Sequence, residues 1–202
     1  MKNIGILLLA LFLGGCVSLG VKSACKVSAL QSVSFFAEGQ NLAAFRFNAA
    51  ARGYAAGGIL QIKKAADGVY DVTAFSEAGA FKLLSARVTA QQTDFNYVLP
   101  LVDKPLVRGK LETFLKVLLF APQSLEKCRA QKDTLWVETT DGRYEYPSGG
   151  TYPLSFTQKK LLGSVKLSYG QYTPYEVGQL PHYLFYEDGA IEAEMVLISL
   201  KK

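Results

Sequence analysis

Three Asp-Gly pairs, each set between two runs of alternating apolar and polar residues, constrain this chain more than any other feature. Leu60-Gln61-Ile62-Lys63 leads through Ala65-Ala66 to Asp67-Gly68 and on to Val69-Tyr70-Asp71-Val72-Thr73. Residues 135–140 meet Asp141-Gly142 and continue as Arg143-Tyr144-Glu145-Tyr146; residues 183–186 meet Glu187-Asp188-Gly189 and continue over 190–197. Asp-Gly between alternating runs signals a hairpin, because the tight two-residue turn needs positive φ at both central positions. Alternation with period two then sends every second side chain to one face.

Residues 45–49, 73–77, 81–88, 94–99 and 166–169 also read as extended, bringing the count to nine or ten strands. The expected fold is mainly β (α+β): a curled antiparallel sheet or half-barrel, since a sheet this long must curl. Gly53, Gly57 and Gly58 fall where such a sheet can bend. Two segments show helical spacing instead. Residues 26–38 carry Val27, Leu30, Val33 and either Phe36 or Ala37 in one stripe that Gly39 would end. Residues 106–121, LVRGKLETFLKVLLFA, lie between Pro105, which suits a helix start, and Pro122, which cannot continue one. Two or three helices are therefore expected over the concave face or across one mouth.

The amino-terminal residues, MKNIGILLLALFLGGC, place Lys2 before a short apolar run and Gly14-Gly15 directly before Cys16. That order reads as a lipoprotein signal peptide over 1–15, cut before a lipidated Cys16. The apolar run is too short to span a bilayer, which takes roughly 20 residues. Fatty acyl chains of the palmitate type on Cys16 would anchor the protein by burying methylenes at about 0.8 kcal/mol each. Residues 16–24 read as a tether and 25–202 as a single domain. Val17, rather than an aspartate, follows the cysteine. By the enteric sorting pattern this favours the periplasmic face of the outer membrane, with the inner membrane left open as the alternative. Net charge is +5, from 22 basic and 17 acidic residues, with no run of four adjacent basic residues, so no nucleic-acid partner is expected.

Lipid on Cys16 leaves Cys25 and Cys128 as a pair in an oxidising compartment. A Cys25–Cys128 disulfide is expected, with two separate buried thiols as the alternative. Catalytic chemistry has little to stand on. His182 is the one histidine, too few for a structural zinc site and without a recognisable nucleophile beside it in sequence. The chain has no Gly-x-Ser-x-Gly elbow, phosphate loop, metal-ligand spacing or paired carboxylates. The reading is a non-enzymatic protein without cofactor or metal, with a hydrolase built on residues the sequence does not identify as the last alternative.

With the lipobox and a short helix before it, the strand Gly57-Gly58-Ile59-Leu60-Gln61-Ile62 opens a recognisable layout. Gly68-Val69-Tyr70-Asp71-Val72 and a segment around Glu77-Ala78-Gly79-Ala80-Phe81 follow. Val165-Lys166-Leu167-Ser168-Tyr169-Gly170-Gln171-Tyr172 then leads to Leu180-Pro181-His182-Tyr183-Leu184 and a final hairpin. This arrangement resembles the LolA/LolB lipoprotein-carrier superfamily. The resemblance implies a half-barrel whose concave apolar face holds an acyl chain or the lipid moiety of a lipoprotein client, with helices as its lid. Strand alternation puts Phe45, Phe47, Leu60, Ile62, Tyr70, Val72, Phe95, Tyr97, Val165 and Leu167 on that face. Alternation alone does not separate a cavity from a packed core. A structural or assembly lipoprotein with a filled core, docking an envelope protein, is the other reading.

Overall fold

A computed structural model describes residues 30–201 apart from 32, 37–38, 52, 121–126, 161–162 and 176–177. The described residues form twelve strands and one helix. In chain order the first strands are β1 (Leu42–Ala51), β2 (Tyr54–Ala66), β3 (Val69–Ser76), β4 (Lys82–Val88) and β5 (Thr93–Val98), followed by α1 (Pro105–Phe120). Then come β6 (Lys127–Gln131), β7 (Thr134–Glu138), β8 (Arg143–Pro147), β9 (Ser155–Lys160), β10 (Gly163–Tyr175), β11 (Gly178–Glu187) and β12 (Ile191–Lys201).

All twelve strands belong to one sheet in the order β5-β4-β3-β2-β1-β12-β11-β10-β9-β8-β7-β6. It is two meanders, β1–β5 and β6–β12, joined where β1 pairs antiparallel with β12, Phe47 opposite Met195 and Asn48 opposite Glu194. The chain leaves the sheet at one edge, β5, and re-enters at the other, β6, with α1 between. Helix contacts show that the sheet curls. Thr113 accepts a hydrogen bond from Lys160 of β9, and one turn later Lys116 donates to the Gln91 carbonyl in the β4–β5 turn. Strands β4 and β9 stand seven places apart in the sheet, roughly 34 Å if it lay flat. One helical turn with two lysine side chains cannot bridge that distance, so the two ends wrap towards each other around α1.

The expected hairpins form at all three Asp-Gly sites, but not by the turn the sequence suggested. Gly68 and Gly189 have positive φ (68° and 78°), whereas Asp67 and Asp188 do not. Pairing slips between Lys64 and Ala66, so the first hairpin gains a bulge rather than a two-residue turn. Gly142 has no positive φ; a Cβ there would lie 2.4 Å from the Thr157 carbonyl oxygen of the neighbouring strand. Close strand approach, not turn geometry, requires this glycine.

A single helix is present among the described residues, where two or three were expected. Of the stretch 26–38, residues 30, 31 and 33–36 are not helical; the rest lies outside the described residues. The Gln31 N–H is spent on the Thr151 carbonyl, and Ser34 falls among residues that favour turns over helix. On the outer face Arg87 holds Asp71 through two bonds of 2.8 and 3.1 Å. These residues lie in a cross-strand row Lys63–Asp71–Arg87–Asp94 that ends on edge strand β5. Charge along an edge discourages pairing with another chain.

Candidate functional site

The inner face carries most of the residues that alternation placed there. Phe45, Leu60, Ile62, Val72, Val165 and Leu167 are buried to 4 % exposure or less. Phe47, Tyr70 and Phe95 are half-buried and pack against the same cluster. Tyr97 departs from the expectation. Phe95 pairs with Ala86, but Tyr97 pairs with Ser85, an irregularity that turns Tyr97 to the outer face at 37 % exposure. The two-residue period holds only while pairing keeps step.

One element covering this face is α1, which starts at Pro105 and turns Leu111, Phe114, Leu115 and Leu118 inward at helical spacing. Leu115 is fully buried; Phe114 meets Tyr186 edge-on at 5.0 Å, and Phe120 meets Tyr70 at 5.4 Å. Polar contacts fasten the helix along its length. Asp103 clamps Arg108 at 2.6 Å, and the guanidinium lies over the Phe95 ring. Lys110 meets Asp188 at 3.0 Å, and Lys160 donates to Thr113 at 2.6 Å. The Asp188 carboxylate also accepts the backbone N–H groups of Ala190 and Ile191. Burial pushes this carboxyl up, but Lys110 and the two backbone donors outweigh that and hold it below the usual carboxylate range. Burial, reinforced by nearby Lys110, pulls Lys160 below the ordinary lysine value.

The second covering element is made by residues 30, 31 and 33–36. Its Gln31 N–H donates to the Thr151 carbonyl at 2.9 Å, and the Gln31 carbonyl accepts from the Tyr146 hydroxyl at 3.1 Å. Phe35 is buried and stands edge-on to Phe45 at 5.2 Å; Phe36 tilts against Tyr70 at 5.0 Å. The segment thus runs from the β8–β9 connection to β3, across the strand ends opposite the Asp188 turn.

The late-chain tyrosines suit, by sequence, a barrel rim, a binding surface or strand packing alike, and alternation did not assign those of the second meander to the inner face. Tyr144, Tyr146, Tyr169 and Tyr186 are buried on the inner face, with Tyr172 packed against them. Burial pushes all five hydroxyls above the usual phenol value. Tyr172 donates to the Pro153 carbonyl at 2.6 Å. The available signal was the same alternation that placed Val165 and Leu167: it continues to Tyr169, then shifts at Gln171, a positive-φ residue skipped by the β10–β11 pairing.

Among the described residues the inner face is therefore packed. Open depressions of about 370 and 390 Å³ lie elsewhere, at the alanine- and glycine-rich ends of β1 and β2 beside Glu192. Four large apolar side chains, Tyr54, Phe81, Leu101 and Leu106, stand more than half exposed at the end of the sheet where α1 begins. His182, which the Leu180-Pro181 pair before it suggested for a turn or the surface, is half-buried within β11. No group of three or more potential metal ligands occurs among the described residues. No helix among them is long and apolar enough to cross a membrane. Cys128 is half-buried on β6 opposite Val137 and engaged rather than free; Cys16 and Cys25 lie outside the described residues.

No protein-family model matches the sequence, and no curated protein matches it. Solved structures do match in shape. A LolA superfamily protein from Nitrosomonas europaea superposes with a TM-score of 0.54 at 12% identity, over 82% of this chain and 87% of its own. A DUF1329 family protein from Desulfovibrio piger gives 0.45 at 7% identity, over 83% and 87%. An outer membrane lipoprotein-sorting protein domain from Vibrio parahaemolyticus gives 0.44 at 10% identity, over 81% and 85%. At this identity the likeness to the Nitrosomonas europaea structure establishes the fold alone, an open, curled antiparallel sheet.

Proposed function

We propose that this chain is a lipid-anchored protein of the bacterial envelope, held to the outer membrane through Cys16. It carries or receives the acyl chains of a lipid or lipoprotein on its inner face without chemistry. The observation that carries this reading is the continuity of the apolar inner face. It runs from Val98 on β5 through Phe45 to Val137 on β7, and one helix and an irregular segment lie over it. An acyl chain entering such a face gains about 25 cal/mol for each Å² of apolar surface removed from water and needs no cofactor. The sheet architecture shared with a LolA superfamily protein supports the same reading.

The filled interior and the exposed side chains Tyr54, Phe81, Leu101 and Leu106 favour a second reading, a lipoprotein that docks an envelope protein around a solid core. Native mass spectrometry on a soluble Cys16→Ala form taken gently from the periplasm separates the two. A mass excess matching a phospholipid or acyl chain, lost on denaturation, supports the carrier. A bare polypeptide mass with no uptake of added lipid rejects it in favour of the docking protein.

A further inference from the structure

The inner face is closed in part by the chain's own residues 30, 31 and 33–36, and the way they are held sets them apart from the rest of the interior. Among the described residues of this segment none belongs to a helix or a strand. Its backbone is fixed at Gln31, by the Thr151 carbonyl and the Tyr146 hydroxyl. Beyond Gln31 it is seated by side chains: Val33 and Phe35 are 9% and 4% exposed, Phe35 against Phe45 and Phe36 against Tyr70. Tyr70 in turn touches Phe120 of α1, so Phe36, Tyr70 and Phe120 form one aromatic row joining segment, sheet and helix.

Resting on the carrier reading, we propose that the described residues of this segment occupy the acyl site in cis. Val33, Phe35 and Phe36 stand where a ligand's acyl chain lies, and loading requires this segment to unseat. Non-directional apolar contact is what a hydrocarbon chain can replace, whereas the hydrogen-bonded strands around it offer no such exchange. A long acyl chain buries more methylenes than two rings and a valine supply, so the ligand wins the competition and short chains lose it. The Phe36–Tyr70–Phe120 row then passes the departure of the segment to the end of α1.

The test uses the Cys16→Ala full chain and fluorescently labelled palmitate. Phe35→Ala with Phe36→Ala is expected to raise affinity at least tenfold. Tyr146→Phe, which keeps the ring and removes one of the two bonds that fix Gln31, is expected to raise it about fivefold, the equivalent of one hydrogen bond. In the unmutated chain, hydrogen exchange over 30–36 is expected to accelerate on saturation with the probe while β1 and β12 stay protected. Equal affinities in all forms, or binding with unchanged exchange over 30–36, overturn the cis occupant and leave the carrier reading standing. Failure of every form to bind the probe overturns the carrier reading, and the cis occupant with it.

Discussion

The Lys110 ammonium lies 3.0 Å from the Asp188 carboxylate, whose side chain is only 1% exposed, and this pair ties the first turns of α1 to the β11–β12 hairpin. The carboxylate does two jobs at once. It accepts Ala190 and Ile191 N–H groups at 3.0 and 2.9 Å, shaping its own turn, and it anchors the helix over the inner face.

Because the native environment holds Asp188 below its unfolded value of about 3.9, its contribution is present above that value. It is lost as pH falls through the lower native value. Asp188→Asn keeps an oxygen for the backbone donors but removes the charge facing Lys110, and should cost about 2 kcal/mol at neutral pH. Melting temperatures of the two forms, measured from pH 7 downward, should converge below pH 4. Parallel curves would show that Asp188 does not anchor the helix through its charge.

The tyrosine lining makes the opposite prediction at the alkaline end. Burial raises Tyr144, Tyr146, Tyr169, Tyr172 and Tyr186, so native protons are held more tightly than unfolded ones. The linked stability is full below the unfolded value near 10 and drains away as pH climbs above it. A large share of the tyrosinate absorbance from the eleven tyrosines should therefore appear together with loss of the sheet's circular dichroism. Complete tyrosine titration with the sheet intact would contradict the buried placement.

The hairpins, the alternating face and α1 were legible because each depends on residues near in sequence. Leu60 and Ile62 announce their face by their own neighbours, and Pro105 announces a helix start. What was not legible depends on pairing at a distance. Tyr97 changes face through an irregular register with β4, and edge strand β6 has little alternation to read because its residues are mostly exposed. The stripe over residues 26–38 has helical spacing, yet Phe35 and Phe36 find ring partners on β1 and β3, and tertiary contact prevails over local pattern. Whether the inner face was filled was likewise out of reach, since alternation marks a face and not what lies against it.

Gly58 tests how closely β2 and its neighbours must approach. An added Cβ would sit 1.8 Å from the Phe75 carbonyl oxygen and 3.2 Å from the Phe47 ring, and a backbone atom cannot step aside as a side-chain end can. Gly58→Ala should cost about 3 kcal/mol, the upper part of the range for overpacking, and lower the melting temperature by about 6–12 °C. Gly109→Ala, which meets open space on the helix, should instead stabilise slightly. A neutral Gly58→Ala would mean that the strands relax where the structure holds them tight.

The expected Cys25–Cys128 bridge gains a geometric argument. Cys128 pairs in register with Val137, which is fully buried, so its thiol turns to the inner side of edge strand β6. Leu30 begins the described part of the segment next to the β8–β9 connection, two strands from β6, roughly 10 Å across the sheet. The five residues from Cys25 to Leu30 span up to about 17 Å, so the bridge is within reach. Among the described residues strand β6 has a sheet neighbour on one side alone, and a covalent tie there would stop the edge from fraying. Non-reducing peptide mapping should recover residues 25 and 128 in one linked peptide. Reduction should cost on the order of 4 kcal/mol, as closing a loop of this length does in the chain-entropy account. Two alkylatable thiols in the unfolded, unreduced chain would eliminate the bridge and leave β6 held by β7 and by whatever else Cys128 contacts.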